Sequence, residues 1–140
     1  MGMKAGRLKK PESRIRAGAP DTRHRITFSF RHIEQSHDKF RYSGCESNYF
    51  CKVIARLSAL STLTIQEFHA NRSSSIRAHP IAWECTSEPK GFAQLSEQLR
   101  STTPFQFAVS ANEHGRIHGF FVDHVFFLVW LDPKHDLYAG

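Results

Sequence analysis

From Ile26 onward apolar and polar side chains alternate: Ile26, Phe28 and Phe30 are separated by Thr27, Ser29 and Arg31. Successive strand residues point to opposite faces, so this period of two predicts a half-buried strand. The charged run 34–44, closed by Ser43-Gly44, predicts a long loop. Beyond it the period changes. Phe50, Val53, Ile54, Leu57 and Leu60 recur at helical spacing, Lys52 and Arg56 fall on the opposite side, and Ser47 is a suitable N-cap. Thr64-Ile65-Gln66-Glu67 is a capping box, in which the two side chains satisfy each other's orphan N–H groups. It opens a second, short helix ending near Asn71, with Arg72-Ser73-Ser74-Ser75 as a loop. His79-Pro80-Ile81-Ala82-Trp83 reads as extended, because the residue before proline avoids the α region. After Pro89, the stripe of Phe92, Leu95 and Leu99 predicts a helix over about 90–100.

The last third of the chain reads as three strands. Phe105, Phe107 and Val109 alternate with Gln106, Ala108 and Ser110. The turn Asn112-Glu113-His114-Gly115 precedes an extended run, 116–122. Asp123-His124 then makes a two-residue hairpin into the continuous apolar run 125–131. Helices segregated between a first strand and a three-stranded antiparallel meander predict an α+β fold, with the helices packed on one face of an antiparallel sheet.

Composition narrows the class. The chain has 140 residues, of which 40% are hydrophobic and twelve are Phe, which suits one globular domain over 26–140. The longest apolar run, 125–131, is far short of the roughly 20 residues that span a bilayer, so no membrane partner is expected. Cys45, Cys51 and Cys85 are an odd set without a CxxC pair, and the N-terminus has no apolar signal region. Both point to the reducing cytoplasm. A zinc site from these thiols and His79 lacks paired ligand spacing, and His114-x-x-x-His118 would need a helix where the pattern is extended, so neither metal nor cofactor is expected.

The formal net charge is +6, and all of it lies in residues 1–25. There Lys4, Arg7, Lys9, Lys10, Arg14, Arg16, Arg23 and Arg25 face only Glu12 and Asp21, while the remaining residues balance. Few large apolar side chains occur in this stretch, so it is expected to be a disordered basic tail that either contacts phosphate or only solubilises.

Candidate chemistry concentrates near the C-terminus. On a strand, Arg116, His118 and Phe120 share one face. If the last hairpin pairs in simple register, Arg116 and His118 lie beside the segment that carries Lys134, His135 and Tyr138. A fixed cation, two imidazoles and a phenol suit metal-free RNA cleavage. One group takes the ribose 2′-OH proton, the cation steadies the phosphorane, and another group protonates the leaving 5′-oxygen. Phe120 or Tyr138 would stack on an unpaired base, and Lys134 would contact substrate.

The run Gly115-Arg116-Ile117-His118-Gly119-Phe120-Phe121-Val122, Asp123-His124, the apolar 125–131, then His135 and Tyr138 resembles the end of RelE/YoeB-type bacterial toxins. The resemblance implies a small α+β ribonuclease that cuts mRNA, often on the ribosome, and is held by a cognate antitoxin. It makes Arg116 the strand arginine on the scissile phosphate, His135 the C-terminal basic residue and Tyr138 the terminal tyrosine. His118 is added on strand geometry alone. The chain is longer than most members of that family and carries an extra predicted helix, and its part beyond residue 25 is neutral where they are basic. The rival expectation is a non-enzymatic binding module of a phage-defence or phage-encoded kind, docking a protein or nucleic acid. The apolar strand 125–131 or exposed aromatic residues would then form its interface.

Overall fold

The computed structural model describes residues 24–70, 76–110 and 115–138. Its elements run β1 (Thr27–Ser29), α1 (Ser47–Leu60), α2 (Ile65–Ala70), β2 (His79–Pro80), α3 (Glu97–Arg100), β3 (Pro104–Ala108), β4 (Arg116–Val122) and β5 (Val125–Asp132). The fold is α+β, with one five-stranded sheet in the order β1-β5-β4-β3-β2. Strands β3, β4 and β5 form the expected antiparallel meander. Val122 pairs with Val125 across the two-residue turn, and Asp123 takes a φ of 53° there. The sheet is mixed rather than wholly antiparallel, because β1 lies parallel to β5, Thr27 opposite Val125. Thr27 N–H donates to the His124 carbonyl and Ile26 N–H to that of Leu63, which fixes β1 between the hairpin and the helical layer.

Both faces of the sheet are covered. Phe107, Val109, Ile117, Phe126, Leu128 and Leu131 pack against Tyr49, Val53 and Leu60 of α1 and Phe68 of α2. On the other face Phe120, Val129 and Trp130 meet Phe40, Ile81, Phe92, Leu95 and Leu137, which come from irregular segments. The polar loop 34–44 therefore supplies a core residue: Phe40 is 1% exposed and stacks on Trp130 at 4.7 Å. Lys39 and His37 both reach Glu88, at 2.7 and 3.4 Å, and tie that loop to the segment after β2. Helices α1 and α2 thus share one face as expected, but the second face is closed by loops and the single-turn α3.

A register shift between His118 and Gly119 leaves Val129 as an extra residue in β5. Such a bulge sends Val129 and Trp130 to the same side, where both join the second core. Gly119 is needed beside it: a Cβ there would run into the Phe127 carbonyl and come within 2.7 Å of the Phe126 ring.

Three sequence expectations are corrected. The helix over 90–100 shrinks to α3, capped by Ser96 Oγ accepting from Leu99 N–H. Gly91, at φ 65°, packs directly under the Trp83 ring where a Cβ would clash, and Phe92 and Leu95 enter the core from turns instead. Helix α1 is rotated relative to the expected stripe. Tyr49 is buried on it, Ile54 is 68% exposed, and Lys52 and Arg56 are half-buried. Finally, ordered contacts begin before Ile26. His24 stacks on His124 at 4.5 Å, and Arg25 bridges to Thr64 and approaches Glu67 at 3.7 Å. The rest of the basic tail, the loop 72–75 and the turn over 112–114 lie outside the described residues.

The capping box forms as expected, Thr64 N–H donating to Glu67 Oε1 at 2.9 Å and Glu67 N–H to Thr64 Oγ1 at 3.1 Å. Thr64→Ala is expected to cost about 1 kcal/mol of stability, read from the urea midpoint at unchanged m-value.

Candidate functional site

The segment after β5 is shaped by one carboxylate. Asp132, 1% exposed, accepts from Asp136 N–H at 2.7 Å and Leu137 N–H at 3.0 Å, and its Oδ2 lies 3.0 Å from His118 Nε2. Its carbonyl accepts from His135 N–H at 3.3 Å. These bonds wind residues 132–137 into a tight turn. Leu137 is driven into the core, with its carbonyl accepting Ser87 N–H at 2.7 Å. The turn places His135 at a φ of 58° and sets Tyr138 beside β2.

Burial pushes the Asp132 carboxyl up, but the His118 hydrogen bond and the two backbone amides outweigh it and hold the group below its ordinary range. Burial pushes His118 down, more strongly than Asp132 draws it up. The stable state is a carboxylate that accepts from the Nε2–H of a neutral imidazole. This pair is structural: His118 is completely buried against Phe40 and Trp130.

Arg116 starts β4 directly across from Asp132 and is 7% exposed. Tyr49 Oη donates to the Arg116 carbonyl at 2.9 Å, and Arg116 Nη1 donates to the Gly115 carbonyl at 3.0 Å, so helix α1 fixes the strand end that carries the guanidinium. Burial and the neighbouring Arg77 charge lower the Arg116 pKa, while Asp132 raises it. A guanidinium stays charged regardless.

Arg77, His79, Gln106, Arg116, His135 and Tyr138 enclose a cavity of about 230 Å³ at this end of the sheet. Among the described residues the lining contains two guanidinium groups, two imidazoles, a phenol and an amide, and no carboxylate. His79 stands at the edge strand opposite Gln106. Its Nδ1 donates to the Pro80 carbonyl at 2.8 Å, so Nε2 of the neutral ring accepts from Gln106 Nε2 at 3.1 Å. The Tyr138 ring lies 5.9 Å from His79 and 6.1 Å from His135, and its Oη accepts from Ala82 N–H at 3.4 Å. Arg77, at φ 50°, and His135 are two of the three non-glycine residues with positive φ among those described. Such backbone costs on the order of 1–3 kcal/mol per residue, and both of these residues line the one cavity.

Of the residues singled out from sequence, Arg116, His135 and Tyr138 come together here. His118 does not reach the cavity and acts behind it through Asp132. Phe120 is fully buried in the second core, so it has no face for a base. Lys134 is exposed on the other side of the turn, where it borders hollows with Gly44, Cys45 and Pro133. Arg77, His79 and Gln106 were not anticipated as site residues. The signal for two of them was the extended 79–83 segment, whose pairing with β3 puts His79 across from Gln106. Strand β5, offered as a docking surface, is buried between the two covering layers.

Cys45, Cys51 and Cys85 are free thiols. Among the described residues no helix is long and apolar enough to cross a membrane. No protein-family model, curated protein or solved structure matches the chain.

Proposed function

We propose that this chain is a metal-independent endoribonuclease of the toxin type, cutting mRNA by attack of the ribose 2′-oxygen, with the Arg77–Tyr138 cavity as its active site. The observation that carries this reading is the lining: cations, imidazoles and a phenol converge, with no acid among the described residues that line the cavity. Such a lining attracts a phosphodiester and supplies both fixed charge and proton transfer.

Arg116, held at the strand end, and Arg77, across from it, bind the scissile phosphate. His135 takes the 2′-OH proton as the 2′-oxygen bonds to phosphorus. The Tyr138 phenol, whose oxygen already accepts Ala82 N–H, gives its proton to the departing 5′-oxygen as that P–O bond breaks. The products are a 2′,3′-cyclic phosphate and a 5′-hydroxyl. His79 has both ring nitrogens engaged and acts as a wall that fixes Gln106, rather than as a base. An antitoxin that buries the mouth of the cavity would silence it.

The test is primer extension on mRNA in a cell-free translation reaction, with chelator present and absent. Wild type is expected to cut in both conditions, and the Arg116→Ala, His135→Ala double variant in neither. Wild type that leaves the message intact, with ribosomes present and no chelator, overturns the reading. It would direct attention to the binding-module alternative and a search for a protein or nucleic-acid partner.

A further inference from the structure

Gln106 lines the cavity from β3 and takes no part in the chemistry assigned to its neighbours. It is 2% exposed, and in register it stands between His79 of β2 and His118 of β4. The His79 ring decides which way the amide faces. Its Nδ1 donates to the Pro80 carbonyl, so its Nε2 is an acceptor and takes a hydrogen from Gln106 Nε2 at 3.1 Å. The NH2 end of the amide is thereby turned to β2, and Oε1 is left buried with no described residue donating to it. His118 cannot serve: its Nε2–H goes to Asp132, which makes Nδ1 a second acceptor.

A buried carbonyl without a donor is costly, and native interiors rarely hold one. Gln106 therefore presents an acceptor that binding can satisfy. The donor comes from the cavity, because that is the space the side chain borders. The neighbouring rings narrow its chemistry. His79, bonded to the amide, and Tyr138, whose ring lies 5.9 Å from it, offer planar faces on the same cavity. A flat heteroaromatic group with an N–H on its edge meets both demands, and every RNA base carries one.

We infer that Gln106 is the base-reading residue of this cavity, its Oε1 accepting an N–H from the Watson–Crick edge of an unpaired nucleobase next to the scissile phosphate. The inference rests on the proposed function in taking RNA as the ligand, and adds a sequence preference to it. The bases carry that N–H at different positions on the edge, so one fixed acceptor favours some over others. A base that brings no donor leaves the carbonyl stranded and binds more weakly.

Calorimetric titration of the full chain with 2′-deoxy homodinucleotides of uracil, cytosine, adenine and guanine tests it. These probes keep base and phosphodiester and lack the nucleophile, so they bind without being cut. The tightest binder is then compared with its counterpart lacking the edge N–H: N3-methyluracil for uracil, pyrimidin-2-one for cytosine, purine for adenine, 1-methylhypoxanthine for guanine. Wild type is expected to bind the parent at least about tenfold tighter, the scale of a buried acceptor left unpaired. Gln106→Met, close in volume and without the acceptor, should bring parent and counterpart within about twofold, which separates a lost hydrogen bond from the bulk of an added methyl group. Its urea midpoint should equal or exceed that of wild type, because the exposed His79 finds a partner in water and no carbonyl is stranded. Parent and counterpart binding alike in wild type would mean that solvent satisfies the carbonyl, and overturns the inference with no variant needed. A gap that persists in Gln106→Met, or no binding of any of the four parents, overturns it too. Failure of the nuclease reading registers separately, as intact message in the primer-extension assay.

Discussion

Arg116→Ala is expected to lower the rate of RNA cleavage by about 10²–10³-fold, the usual cost of removing one preorganised donor to a developing phosphorane charge. His135→Ala should cost about 10²–10⁴-fold, the range for a general acid or base. The two should combine less than multiplicatively, because both act on one transition state. Arg116→Lys separates charge from geometry. It keeps the cation but loses the planar fork, and should recover only part of the lost rate. Far-UV circular dichroism and the urea midpoint of each variant must stay near wild type for the comparison to hold. A single-turnover rate unaltered in Arg116→Ala with a folded protein would remove Arg116 from the chemistry.

The second large effect is on stability. Asp132→Ala leaves the Asp136 and Leu137 amides and the buried His118 Nε2–H without their acceptor at once. Stranding buried polar partners in this way costs about 3–5 kcal/mol. The turn that carries His135 and Tyr138 should loosen with it, so activity falls even where the chain still folds. Asp132→Asn keeps one carbonyl acceptor and should be milder on both counts. Guanidinium unfolding of the three proteins provides the measurement, and a midpoint for Asp132→Ala equal to wild type would contradict the role assigned to the carboxylate.

The same pair gives a pH dependence. His118 is buried neutral, with its pKa below the ordinary 6.5, so the unfolded chain binds a proton that the folded chain refuses. Stability should therefore fall as pH drops below about 6.5. Asp132, depressed below its ordinary 3.8, contributes stability that is complete above that value and is lost as pH falls through the folded pKa. Acid acts in the same direction on both. Between pH 7.5 and 5.5 the His118 part should be missing from a folded His118→Gln variant, whose amide can still donate to Asp132; an undiminished slope would assign the loss to other histidines.

What could be read in the chain was whatever short-range periodicity determines. The meander followed from alternation in 105–109 and 116–122 and from a turn pair at Asp123-His124, and α2 followed from its capping box. The helix over 90–100 failed because Phe92, Leu95 and Leu99 have helical spacing, while the half-buried Trp83 ring demands Gly91 in a conformation no helix contains. The covering of the second face was not legible at all. A charged loop does not announce that Phe40 will stack on Trp130, and without that cover His118 and Phe120 read as surface residues facing a substrate. Arg116, His135 and Tyr138 were found because one hairpin and five residues of turn bring them together. Arg77 and Gln106 needed the pairing of a two-residue edge strand, a long-range event with little local trace.

The extra residue in β5 has a consequence for the whole site. A strand keeps parity: every second side chain returns to the same side, and only an odd insertion changes which side that is. Counting from Phe126 and Leu128 on the helical side, an unbroken β5 would send Trp130 and Asp132 there too. Val129 inverts the count, and Asp132 emerges on the side of His118 and Arg116. Straightening the strand with Val129 kept in the ladder would leave every side chain of the cavity in the sequence and still turn the carboxylate that shapes the His135–Tyr138 turn toward the wrong half of the molecule, whereas deleting the valine would remove the bulge and keep Asp132 on its present side.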